Sequence, residues 1–208
     1  VAALVAGGAG LVVVIVIVAL VALSLHLVVG RRDITFYDVE THEPGRVFDS
    51  PVADASIMDM VFSRDGQRLI AAVGNRIVEY DERGEVRKQF QAHDGKLKRI
   101  GLSSDESVLA TTGMDYRVRC WDNRTWQPLP APTIAQGSQA YDPHFLPQSR
   151  RLLYAQGRGP ICLWDMESGR ITHEFPSDDE EVKAIGVSQA AGQWDSGGYG
   201  MVRVWKLP

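Results

Sequence analysis

The sequence is short of the groups from which active sites are built. Its 208 residues hold two cysteines, Cys120 and Cys162, too few for a disulfide scaffold. Cys120 lies one residue before Trp121 and Cys162 two before Trp164. Strand alternation therefore predicts two free thiols pointing to opposite faces of their sheets. The five histidines, His26, His42, His93, His144 and His173, show neither H-x3-H nor HExxH spacing, and no Cys/His pattern that would hold zinc. GK[ST] phosphate loops, a GxGxxG turn after a strand and a GxSxG elbow are all missing. Positive charge is not in excess either: the formal net charge is −4. The basic groups Arg150-Arg151, Arg87-Lys88 and Lys96/Lys98/Arg99 are scattered, without interleaved exposed aromatics, so nucleic acid is not an expected partner. No catalytic residue, metal or cofactor is implied.

From Val1 to Gly30 what is missing is charge itself; Ser24 and His26 are the clearly polar side chains. Gly10 to Val29 alone supply the roughly 20 apolar residues that a membrane helix needs. A basic start and a small-residue cleavage site are lacking, which argues against a signal peptide. The expectation is one transmembrane helix over 1–30, and with it a single-pass membrane protein. Ala2, Ala6 and Gly10 recur every four residues, a spacing that would support helix self-association. Arg31 and Arg32 after the run favour a cytoplasmic soluble part. Because the first residue, Val1, lies inside the apolar run, an upstream region is expected too.

After Arg32 the texture changes to short β-branched runs between polar turns. Tyr37-Asp38, Tyr80-Asp81, Trp121-Asp122 and Trp164-Asp165 recur every 41 to 43 residues, and Trp205-Lys206 takes the next place. That interval falls within the period of roughly 40–45 residues typical of propeller blades. First strands align as IMDMVFS (57–63), LKRIGLS (97–103), AYDPHFL (140–146) and VKAIGVS (182–188). Second strands follow as RLIAAV, VLATTG, RLLYAQ and a weaker GQWDSG.

On these residues the chain resembles the WD40-repeat family over about residues 33–208. The resemblance implies an all-β propeller of about four blades, a small or partial ring, behind the transmembrane helix. The expected organisation is a helix over 1–30, a juxtamembrane segment and closing outer strand over 31–50, and repeats over 51–208. Arg46-Val47-Phe48 would be lent to the last blade, leaving ITFYD (34–38) surplus. In the family a His, a Ser/Thr, an Asp and the Trp form one hydrogen-bonded group, matched here by His93, Thr111, Asp115 and Trp121. The Ser/Thr-His-Asp composition invites a catalytic reading, but each residue's place in the repeat explains it, and Trp has no part in a nucleophilic triad.

The resemblance also places a partner-binding face on the two positions before each first strand and one before the turn Asp. Those positions hold Asp54 and Ser56, Asp94 and Lys96, Gly137 and Gln139, Asp179 and Glu181, and Met114. Four acids against one lysine suit a basic peptide or basic protein patch. The leading expectation is a membrane-tethered, non-catalytic protein-interaction scaffold. The alternative is the C-terminal sensor or docking tail of a larger membrane serine/threonine kinase or receptor, with its catalytic domain upstream of residue 1.

Overall fold

The computed structural model describes the chain except for residues 1, 9–10, 19–25, 31–32, 39–40, 42, 135–138, 158, 178–181, 189–191, 199–201 and 207–208. Among the described residues every regular element is a strand. Strands β1 (Ala2–Gly8), β2 (Leu11–Val18), β3 (His26–Gly30), β4 (Asp33–Asp38) and β5 (Pro44–Asp49) form the first sheet, in chain order. The second sheet holds β6 (Ile57–Phe62), β7 (Arg68–Val73), β8 (Arg76–Asp81) and β9 (Val86–Gln91). The third holds β10 (Leu97–Leu102), β11 (Val108–Gly113), β12 (Val118–Asp122) and β13 (Pro128–Leu129). The fourth holds β14 (Ala140–Phe145), β15 (Arg151–Gln156), β16 (Ile161–Asp165) and β17 (Arg170–Phe175). β18 (Ala184–Ser188), β19 (Gln193–Gly197) and β20 (Val202–Lys206) make the last. The chain divides into two compact units, Val1–Leu97 and Lys98–Pro208.

The N-terminal run corrects the sequence reading. Where a transmembrane helix is expected, β1 pairs antiparallel with β2 from Ala2↔Ile17 to Gly8↔Leu11, and β3 pairs with β4 from His26↔Asp38 to Gly30↔Ile34. No helix among the described residues is long and apolar enough to cross a membrane. The single-pass localisation, the tether and the helix face for self-association fall with it. Hydropathy registers a demand for burial and does not choose the secondary structure that meets it. A Val/Ile-rich run is stiff at χ1 and favours the extended backbone, and pairing with β1 and β3 gives β2 partners for its N–H and C=O groups without a helix.

The same pairing places ITFYD. β4 pairs with β5 through Asp33↔Asp49, Ile34↔Phe48 and Thr35↔Val47. These two strands are therefore the outer part of the first sheet: ITFYD is not surplus, and Arg46-Val47-Phe48 belongs to this sheet and is not lent to the last one. Five sheets result, one more than the blades counted from the repeat.

Packing follows a rule that alternation sets. Within the first unit, Ile34 and Phe48 pack on Leu69, Val78 and Tyr80 of the second sheet, with the Phe48 and Tyr80 rings stacked at 5.8 Å. Within the second unit, Val118 and Cys120 meet Cys162 and Trp164 of the fourth sheet. Ile161 and Leu163, on the other face of that sheet, meet Ile185, Trp194 and Trp205. In each layer the aromatic ending a third strand turns toward the preceding sheet. Residues one and three places earlier turn toward the following one.

Candidate functional site

The loops before the first strands are positioned by backbone hydrogen bonds to the turn between β7 and β8. Gly74 N–H donates to Ser56 O at 3.0 Å, and Leu97 N–H donates to Gly74 O at 2.7 Å. Ala92 and His93 N–H both donate to Asn75 O, at 3.0 and 3.3 Å. Gly74 has φ +59, and a Cβ there would stand 3.1 Å from the Ala55 Cβ, so the turn needs glycine. One turn thus gathers two predicted partner-binding segments. Asp54, Asp94 and Lys96 are exposed on it and Ser56 is half-buried.

In the second unit, Met114 is 50% exposed in the turn between β11 and β12, beside Tyr116 at 49%. Gln139 is occupied: its Oε1 accepts from Tyr141 Oη at 2.6 Å and from Lys98 Nζ. That lysine also sits 4.0 Å above the Tyr141 ring. Gln139 therefore braces the start of β14 more than it offers itself to a partner. Gly137, Asp179 and Glu181 lie outside the described residues.

Of the four-residue polar group, Thr111 and Trp121 meet directly. Trp121 Nε1 donates to Thr111 Oγ1 at 3.0 Å, and Thr111 Oγ1 donates to Arg119 O at 3.3 Å. Asp115 pairs with Arg119 at 3.1 Å, and His93, in the first unit, is fully buried. The buried hydroxyl is spent on strand-to-strand bonds, so nothing here favours a nucleophile. The last sheet repeats the bond: Trp205 Nε1 donates to Ser196 Oγ at 3.0 Å. In both sheets the hydroxyl stands two residues beyond the one directly opposite the tryptophan (Leu109↔Trp121, Trp194↔Trp205), a same-face diagonal neighbour. That spacing was readable in QWDSG.

The Asp of three aromatic-Asp pairs, Asp81, Asp122 and Asp165, has a separate task. Asp81 Oδ1 accepts from Arg83 and Glu85 N–H, at 2.9 and 3.0 Å. Asp122 Oδ1 accepts from Arg124 N–H at 3.1 Å and Thr125 N–H at 2.7 Å, and Asp165 Oδ1 accepts from Glu167 N–H at 2.8 Å. These are Asx turns that aim the chain into the outer strand. Burial alone would raise the Asp81 carboxyl, but the Glu85 and Arg83 N–H groups and the Arg87 guanidinium outweigh it and hold it low. A second carboxylate anchors the turn between β10 and β11. Ser103 Oγ donates to Asp105 at 2.6 Å, and this bond, joined by Ser107, holds the Asp105 pKa at about 2.

Sequence reasoning missed Asp142, where three first strands converge. Its Oδ2 accepts Ile185 N–H of β18 at 2.5 Å, and its Oδ1 faces His144 Nε2 at 3.5 Å and Arg99 Nε of β10 at 3.8 Å. Burial pushes its carboxyl up, but the His144 charge and hydrogen bond, the Ile185 N–H and Arg99 prevail and lower it. Asp142 has φ +44 at a bulge between Tyr141 and His144. Pro143 inside a first strand was the available signal, since proline removes a ladder donor.

Both cysteines are free and buried, as expected, but they share one apolar layer with Trp164. Opposite parity put them together, because opposite faces of successive sheets meet. Burial pushes the Cys120 thiol up to about 12. No metal-holding group of His, Cys, Asp and Glu occurs among the described residues. A polar cleft of about 510 Å³ lies against β7 to β9, and its charges largely pair off, as Arg68–Glu79 at 3.3 Å and Arg87–Asp81 at 2.9 Å.

Residues 84–122 match the WD40 family (WD domain, G-beta repeat). The target of rapamycin complex subunit wat1 of Schizosaccharomyces pombe is 26% identical over 165 residues, 74% of this chain and 50% of that protein. Telomerase protein component 1 of Rattus norvegicus is 24% identical over 102 residues, 47% of this chain and 4% of that protein. The chain thus spans half the length of the first relative and a small part of the second. Among solved structures, a chain of the mitotic checkpoint complex superposes with TM-score 0.76 at 15% identity, covering 88% of this chain and 57% of that one. The β-propeller domain of Cps50 (Swd1) from Myceliophteria thermophila gives 0.75 at 15%, covering 88% and 62%. The computationally designed Ika4 protein gives 0.64 at 19%, covering 76% and 95%. At these identities the likeness is one of fold. The chain carries a WD40 repeat and the WD40-type β-propeller fold.

Proposed function

We propose that this chain is a non-catalytic protein-interaction scaffold that captures a basic peptide or a basic protein patch on the loops before its first strands. The observation that carries this reading is the pair of segments tied to the Gly74-Asn75 turn, which hold Asp54 and Asp94 exposed beside each other's loops. Rigid sheets that position variable loops are the usual platform for binding residues. WD40 propellers bind protein partners. The relative wat1 is by name a subunit of a larger complex, and one solved structure of like fold is itself a checkpoint complex. Asp179 and Glu181 are two more acids at the matching places of the repeat and take the same role in this reading. The group His93, Thr111, Asp115 and Trp121 is structural, a staple that holds its blade.

The test is capture of Lys/Arg-rich peptides from an arrayed library by the full chain. Charge reversal at Asp54 with Asp94, or at Asp179 with Glu181, is expected to weaken capture about tenfold at low salt, with the wild-type affinity falling as salt rises. Capture unchanged by both double reversals sinks the proposal.

A further inference from the structure

Within the second unit, β14 lies between two other first strands. A Cβ on Gly101 of β10 would stand 2.1 Å from Pro143 O, and Asp142 Oδ2 accepts Ile185 N–H of β18 at 2.5 Å. The fifth residues of these three aligned strands are Gly101, His144 and Gly186. Of the three, β14 alone carries a titratable side chain there. The His144 side chain is 38% exposed, so solvent protons reach it, while that of Asp142 is 14% exposed.

His144 Nε2 stands 3.5 Å from Asp142 Oδ1. Charged groups approach this pair from the flanking strands. Arg99 of β10 places its Nε 3.8 Å from the same Oδ1. On the side of β18, Gly186 is covered by Asp195 of β19, whose Oδ1 would stand 2.6 Å from a Cβ there. On β15 the residue opposite His144 is the apolar Leu153. Burial raises the Asp142 carboxyl, but its partners prevail and hold it low, so it is an anion across the neutral range.

Asp142 is also a strained position. Its φ of +44 lies in the left-handed region, at the bulge where the β14–β15 register shifts between Tyr141 and His144. Its carboxylate bond to Ile185 N–H and the charges of Arg99 and His144 hold it there. A bulge pinned in this way is an element that a change of local charge can bias.

We propose that His144 is a pH-sensitive latch: its protonated ring pins the Asp142 bulge and so helps tie β14 to β10 and β18, and loss of that proton loosens the tie. A neutral ring offers Asp142 no charge and leaves the carboxylate to Arg99 and the Ile185 N–H. The imidazolium gains an anionic partner on folding. Its contribution is therefore present below the ordinary histidine value of about 6.5 and is lost as pH rises through the higher value of the folded chain.

The test is a proton NMR titration of the full chain, the His144 resonance being the one lost in His144→Gln, joined to urea midpoints of both chains between about pH 5.5 and 8. His144 is expected to bind its proton about fivefold more tightly in the folded chain than in urea. Asp142→Asn is expected to abolish this gain. Arg99→Gln, which removes the competing cation, is expected to increase it. The urea midpoint of the wild type should exceed that of His144→Gln by more at the acid end of the range than at the alkaline end. A proton held no more tightly in the folded chain overturns the proposal, as does a midpoint difference that is the same at both ends. His144→Gln changes a partly exposed side chain, so that comparison decides the matter even where Asp142→Asn does not fold.

Discussion

Thr111→Val removes one buried hydroxyl and both bonds it makes to its neighbouring strand. The swap is nearly isosteric, so no cavity opens, and Thr111 is fully buried while Trp121 is 8% exposed. The change removes the acceptor 3.0 Å from the indole N–H and the donor 3.3 Å from Arg119 O. Leaving a buried donor short of its acceptor costs about 1–3 kcal/mol, and relieving the hydroxyl's own desolvation returns part of that. A net loss of about 1.5 kcal/mol is expected. Ser196→Ala breaks the matching 3.0 Å bond in the last sheet, but Trp205 is half-buried and water can replace the hydroxyl. There the expected loss is about 0.5 kcal/mol. Urea unfolding followed by far-ultraviolet circular dichroism reads both, and keeps its signal in Trp121→Phe. The cycle Thr111→Val, Trp121→Phe and the double variant should show a coupling of about 1 kcal/mol. Coupling near zero, or a Ser196→Ala loss larger than that of Thr111→Val, would refute the assignment of this bond as the blade's buried staple.

Gly101→Ala is expected to be severe: its Cβ would stand 2.1 Å from Pro143 O, a backbone atom, so β10 and β14 must separate. A loss of about 3 kcal/mol, seen as a melting point lower by about 10 °C or more, is the expected outcome. Asp105 sets an acid limb. Its folded pKa of about 2 lies below the ordinary carboxyl value of 3.8, so its contribution is present above pH 3.8 and is lost as pH falls through about 2. Because Asp105 is exposed, screening leaves about 1 kcal/mol of this, and Asp105→Asn should flatten the urea midpoint between about pH 4 and 2. Cys120 and Cys162, both buried, should resist a thiol reagent at about pH 8 and react fully in denaturant; fast native labelling would contradict their placement.

Repeat arithmetic located the architecture well. Tyr80, Trp121, Trp164 and Trp205 all lie in third strands, Tyr37 lies in the fourth strand of the first sheet, and the four aligned first strands are β6, β10, β14 and β18. The pattern was legible because side-chain parity and inter-sheet packing force the same residue type into the same place in every blade. The first sheet was not legible, since an uninterrupted apolar run carries no period by which to tell strand from helix. Asp142 was hidden for another reason. Its partners Arg99 and Ile185 N–H come from two other sheets, and no local spacing announces such convergence. Parity gave the cysteines opposite faces but could not say that those faces meet.

The aromatic-Asp pair reads in sequence as one motif, yet its two residues answer to different demands. The aromatic fills the layer against the preceding sheet, as Tyr80 does on Phe48, Trp164 on Cys120's layer and Trp205 on Phe175 at 5.4 Å. The Asp makes the turn into the outer strand, accepting the N–H two residues on at Asp81, Asp122 and Asp165. Position 206 separates the two. There the aromatic is kept as Trp205 while the Asp is replaced by Lys206, and the last sheet's three described strands end at that residue. If the motif were one unit, losing the Asp should free the aromatic to drift. It does not: Trp205 still stacks on Trp194 at 5.2 Å and still bonds Ser196. Layer packing therefore fixes the aromatic without help from an Asp at the next position.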